Sequence, residues 1–211
     1  MVKFFPILID IRDKHCVVVG GGSVAERKVK TLLKYGAKVT VISPNITQRL
    51  RKIFLEKKIG YINRKYKKGD LKGAYLVVAA TSDRKVNLQV AKDAKFLVNL
   101  VEKTEKIKNS NIVYIVPAVV EKTSLTVAIS TEFPALSRSL KNELSKFFGK
   151  EFALFTRYLR KLRREIQKKV PNTKKRQSIF RKIASEEIVS ILRQYGFKEA
   201  KKEVEKILNE I

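Results

Sequence analysis

Short β-branched runs alternate with stretches of three-and-four apolar spacing over the first half of the chain, and the second half is almost wholly of the latter kind. The runs occupy residues 15–19 (HCVVV), 37–42 (AKVTVI), 59–63 (IGYIN), 75–80 (YLVVAA), 96–101 (FLVNLV) and 111–117 (NIVYIVP). Such runs alternating with helical stretches predict successive βαβ units around a parallel sheet. Between them, Ser23 to Tyr35 has the spacing of an amphipathic helix, and Ser23 with Glu26 forms an S-x-x-E pattern that predicts a capping box. Asp83 or a neighbour is expected to cap a second helix running through Lys92.

After Pro117 the sequence predicts one alternating strand, Leu125 to Ser130, and then only helices. One begins near Pro134. A long basic helix carries Phe152, Phe155, Leu159, Leu162 and Ile166 on one apolar stripe and breaks at Pro171. Two more, Ser185 to Tyr195 and Lys198 to Glu210, are separated by Gly196. The expected fold class is α/β: a Rossmann-like parallel sheet over residues 1–116, a small region at 117–149, and a helical domain at 150–211.

Composition narrows the function. The single cysteine, Cys16, and single histidine, His15, exclude a disulfide scaffold and a zinc cluster of the usual kind, so no dedicated metal site is expected. The apolar stretches fall short of the ~18 residues that cross a bilayer, and the first thirty lack a signal peptide's pattern, so the expectation is a soluble, cytoplasmic protein. A net charge of +27, spread along the chain, fits either a solvated lysine-rich surface or a polyanionic ligand.

The most informative segment is VVVGGGSVAERK, where Gly20, Gly22 and Ala25 make G-x-G-x-x-A between a strand and a helix. Gly20 allows the tight turn, Gly22 lets a diphosphate reach the backbone, and Ala25 lets helix and strand pack closely. The helix N-terminus supplies free N–H groups to the anion. At the end of the second strand, where a carboxylate would hold the adenosine ribose, stands Ser43. Its hydroxyl can bond a ribose but does not repel a 2′-phosphate, so the strand leaves NAD and NADP open. Thr81, Ser82 and Asp83 end the fourth run, and Asn99 and Glu102 end the fifth. Thr81 and Asn99 can bond ribose or nicotinamide, or else serve the backbone. Glu102, just past an apolar strand, is a candidate general base.

The segments from PILIDIRDKHCVVVGGGSVAERK through VVAATSDRKVN, VNLVE, IVPAVV and LTVAIST…PALSRSLKNEL closely resemble, in order and spacing, the precorrin-2 dehydrogenase and sirohydrochlorin ferrochelatase family. The resemblance is strong through about residue 150 and looser beyond. It implies NAD-dependent oxidation of precorrin-2 to sirohydrochlorin in siroheme biosynthesis, and in some members insertion of Fe2+. It places cofactor contacts on Gly22, Ser23, Val24, Ser43, Thr81 and Asn99. The family's acidic residue, usually the Asp of an N-V-V-D stretch, falls on Glu102, one methylene longer, and a hydroxyl after the late strand falls on Ser130.

The resemblance also implies a homodimer formed through the region after the Rossmann unit, which makes 117–149 the dimerisation and substrate-contact region. A tetrapyrrole with many carboxylates suits a basic cleft, and Arg138 and Lys141 are candidates to hold it. The loop STEFPALSR departs from relatives in being shorter and lacking glycine. The alternative reading is an NAD(H)-sensing, nucleic-acid-binding regulator, but the sequence has no clear helix-turn-helix or concentrated basic arm, so no nucleic-acid partner is expected.

Overall fold

Strand β1 (His15–Val19) is apolar without interruption from Cys16 on, because both of its faces are covered there. Cys16 and Val18 point into one core with Val39, Val41 and Val78, while Val17 and Val19 point into the other with Ile42, Val77 and Val98. The computed structural model describes residues 6–94, 97–100, 118–122, 125–131 and 133–210. They fall in two compact units, 1–115 and 116–211.

In the first unit, α1 (Ser23–Lys34) follows β1, and β2 (Lys38–Ile42), α2 (Gln48–Leu55), β3 (Ile59–Ile62), β4 (Leu76–Ala79), α3 (Arg84–Asp93) and β5 (Leu97–Leu100) follow in turn. The strands are all parallel in the order β3-β2-β1-β4-β5. This is the expected Rossmann-like α/β sheet. Helices α1 and α2 bury Ala25, Val29, Leu32 and Leu50 on one face, and α3 buries Val90 and Ala91 on the other. The chain order reverses between β1 and β4, so the crevice for a ligand lies at the carboxyl ends of those two strands.

Helix α2 was not apparent from spacing, since Leu50 is its one fully buried residue. The run at 111–117 lies outside the described residues.

The second unit opens with a hairpin in which β6 (Ala118–Lys122) pairs antiparallel with β7 (Leu125–Ile129), Ala118 standing opposite Ile129. Only β7 was expected. Helices α4 (Pro134–Phe147), α5 (Lys150–Lys169), α6 (Thr173–Ile183), α7 (Glu186–Tyr195) and α8 (Phe197–Asn209) complete it. The α5 stripe packs inside this unit: Phe152, Phe155 and Ile166 are buried with Ile179, Ile183, Ile188, Leu192 and Val204. Gly196, at φ +83°, turns α7 directly into α8, a conformation that favours glycine. Among the described residues no helix is long and apolar enough to cross a membrane.

Candidate functional site

The site begins where β1 runs out. The Gly20 amide donates to the Ile42 carbonyl (2.9 Å) and the Ala80 amide to the Val19 carbonyl (2.8 Å), so both neighbouring strands hold the turn. Gly20 adopts φ +121°, and a Cβ there would overlap the Ala80 carbonyl. Gly21 is equally confined, since a Cβ would overlap the Asn45 carbonyl and lie 2.8 Å from the Ser43 hydroxyl. Around Gly22 the situation is the opposite: it is exposed, and the space a Cβ would take is empty to 4 Å.

Gly22 is the N-cap of α1, in extended conformation, and no side chain caps the helix. The expected capping box is therefore not formed. Ser23 is the first helical residue, one position too late to cap, and the Glu26 carboxylate bonds elsewhere. As a result, the opening amides at Ser23, Val24 and Ala25 lie beside open space with no partner inside their own helix. Ala25 is fully buried against the sheet. A bare glycine next to uncapped amides fits a diphosphate.

Ser43 follows β2 and is buried; its hydroxyl donates to the Asn45 carbonyl at 2.6 Å, which leaves it lone pairs to offer a ligand. Thr81 follows β4. Its Oγ1 lies 2.8 Å from Asn87 Oδ1 and 2.9 Å from the Asp83 carbonyl, and accepts from the Asp83 amide at 3.1 Å. The Thr81 hydroxyl is thereby committed to its own turn. Asn87, buried on α3, also accepts from the Thr81 amide and donates to the Thr81 carbonyl. Asp83 caps α3 through the Lys85 and Val86 amides, as the sequence suggested.

Asn99 stands opposite Val78 in the β4–β5 register, one residue before the strand ends. Glu102 lies outside the described residues. His15 sits at the opposite end of β1, where Nε2 meets Thr40 Oγ1 at 3.1 Å. Cys16 is fully enclosed, and burial pushes its thiol up to about 11, which makes it inert.

In the second unit, Ser130 is exposed just past β7. Arg138 and Lys141 are three apart on α4 and share one of its faces. Sequence reasoning missed Ser137 on the same helix. It is fully buried, its hydroxyl lies 2.7 Å from Thr131 Oγ1, and it accepts from the Thr131 amide at 3.2 Å. Missed also were Gly21, Thr47 and Asn87. For Asn87 a signal existed, because it occupies the apolar stripe of α3 with Val90 and Ala91. Among the described residues, no three or more His, Cys, Asp or Glu gather as metal ligands.

A parallel sheet with a glycine turn and an uncapped helix at its switch point defines a dinucleotide-binding protein of the Rossmann class. Residues 7–118 match a family model described as NAD(P)-binding. The chain is 31% identical over 198 residues to the siroheme synthase of Methylobacillus flagellatus, covering 90% of this chain and 41% of that protein. It is 32% identical over 176 residues to the siroheme synthase of Chromobacterium violaceum, covering 81% and 36%. It thus spans about two-fifths of the length of the relatives it matches. Among solved structures, SirC, a precorrin-2 dehydrogenase, superposes with a TM-score of 0.71 at 25% identity, over 96% of this chain and all of that one. The chain belongs to the NAD(P)-binding precorrin-2 dehydrogenase and siroheme synthase family.

Proposed function

We propose that this protein is a precorrin-2 dehydrogenase that oxidises precorrin-2 to sirohydrochlorin with NAD in the cytoplasm. The observation that carries the reading is the likeness to SirC along nearly the whole chain, which includes both units. The open cradle at Gly22 supports it.

In this reading the amides opening α1 bind the diphosphate of the coenzyme, Ser43 and Asn99 at the strand ends orient its ribose and amide groups, and Thr81, bonded to Asn87 and Asp83, shapes the turn beside them. When bound, a nicotinamide coenzyme supplies the hydride acceptor. The substrate must also lose a proton from carbon. Glu102 takes that proton, so the macrocycle gives up one hydride and one proton in total. Arg138 and Lys141 hold substrate carboxylates, Arg138 by bidentate pairing, and Ser130 adds a hydrogen bond. Insertion of Fe2+ into sirohydrochlorin would need a base for the pyrrole N–H protons, and Glu102 is suited to that role as well.

The protein is proposed to act as a homodimer. Exposed Phe133, Leu136 and Leu140 around α4 offer the apolar surface for a second copy. Light scattering of the purified chain measures this directly.

The decisive assay supplies precorrin-2 anaerobically with NAD or NADP, then adds ferrous or cobaltous ion, and follows absorbance. Sirohydrochlorin formation with NAD is expected in the first phase, and a metallated product in the second if the chain also chelates. No turnover with either coenzyme, together with salt-sensitive binding of duplex DNA, would replace this reading with that of a regulator.

A further inference from the structure

Glu26 is 7% exposed in the first turn of α1, close to the amides offered to a ligand. A carboxylate in that place is a competitor for the site, because reaching back to the helix N-terminus would occupy the donors that a diphosphate needs. The side chain instead turns away. Its Oε2 accepts from Thr47 Oγ1 at 2.8 Å, and its Oε1 accepts from Lys30 Nζ at 2.7 Å with Arg49 Nη1 at 3.6 Å.

Thr47 joins three elements. Its hydroxyl donates to Glu26 and accepts from the Leu50 amide as the N-cap of α2, while its own amide donates to the Gly21 carbonyl at 3.0 Å. The segment leading to it presses on the turn from the same side, with the Asn45 carbonyl against Gly21 and Ser43 holding that carbonyl in place. We infer that Glu26 and Thr47 are a positioning pair, which fixes the Gly20–Gly22 turn and keeps the carboxylate off the diphosphate-binding amides. The inference rests on the NAD(P)-binding reading of this family.

The test compares Thr47→Val with Thr47→Ser, each checked by circular dichroism for a native fold. NAD and ADP-ribose are titrated by calorimetry, since both carry the diphosphate. Thr47→Val is expected to raise both dissociation constants about tenfold, through the loss of two part-buried hydrogen bonds. Thr47→Ser keeps the hydroxyl and is expected to stay within about twofold. Without any nucleotide, amide exchange at Gly20 and Glu26, which donate to the Ile42 and Gly22 carbonyls on either side of the turn, is expected to quicken in Thr47→Val and not in Thr47→Ser.

Unchanged affinity in Thr47→Val, equal weakening in Thr47→Ser, or unchanged exchange would each overturn the pair. An unaltered chain that binds no nicotinamide nucleotide would remove the nucleotide role on separate grounds, and the exchange comparison would still decide whether Thr47 holds the turn.

Discussion

Gly20 and Ala80 meet back to back where the strand order of the sheet reverses, and the Ala80 carbonyl fills the place a side chain on Gly20 would need. Two turns' worth of geometry depend on that contact, because Ala80 leads directly to Thr81. Gly20→Ala adds both a clash and an unfavourable φ, so a loss of about 2 kcal/mol or more in stability is expected. Gly22 faces open space, so Gly22→Asp should melt like the unaltered protein while losing NAD through steric and charge conflict with the diphosphate. Thermal melts and calorimetry on the two variants check both halves. Equal NAD affinity in Gly22→Asp would mean the diphosphate lies elsewhere.

Asn87 is the hidden support of the second strand end. It closes a ring of hydrogen bonds with the amide, carbonyl and hydroxyl of Thr81. Asn87→Ala leaves the part-buried Thr81 amide unpaired, at a cost of about 1–3 kcal/mol. Urea unfolding measures the loss, and faster amide exchange at Thr81 locates it.

What the sequence disclosed of this protein follows from which contacts are local. β1 and β4 were legible because burial on both faces leaves an uninterrupted apolar run such as CVVV or LVVA. The glycine turn was legible because its demands fall on adjacent residues. Helix α6 was not, since Lys174, Lys175, Arg176, Arg181 and Lys182 mask its two buried positions, Ile179 and Ile183. The pattern around Ser23 and Glu26 misled for a related reason. Ser23 opens the helix rather than preceding it, and Glu26 bonds both Lys30 one turn on and Thr47 21 residues away, a bond that no local spacing reports.

Acid should loosen the first unit. Asp70 accepts from both terminal nitrogens of Arg64 at 2.7 Å, and this hydrogen bonding holds its carboxyl below the ordinary value. Glu26 is held down in the same sense, first by Lys30 and then by Thr47. A carboxyl group with a depressed folded-state pKa contributes stability that is present above its unfolded pKa and is lost as the pH falls through the folded one. Urea midpoints should therefore hold steady from neutrality down to about pH 4.5 and decline below it. In Asp70→Asn the neutral midpoint should be lower and the decline shallower. An unaltered acid slope in that variant would show that the Arg64 pair contributes nothing to it.

In the proposed reaction a proton leaves precorrin-2, and Glu102, just past the fifth apolar run of the sequence, is its proposed acceptor. General base catalysis of this kind is worth about 10²–10⁴ in rate. Glu102→Ala should accordingly lower kcat for sirohydrochlorin formation by at least about a hundredfold while leaving the dissociation constant of NAD unchanged. Glu102→Asp keeps the charge and shortens the reach by one methylene, so it should recover most of the rate. The two variants separate charge from position. If Glu102→Ala retains full turnover, the proton goes elsewhere, and water or a substrate carboxylate becomes the acceptor to test next.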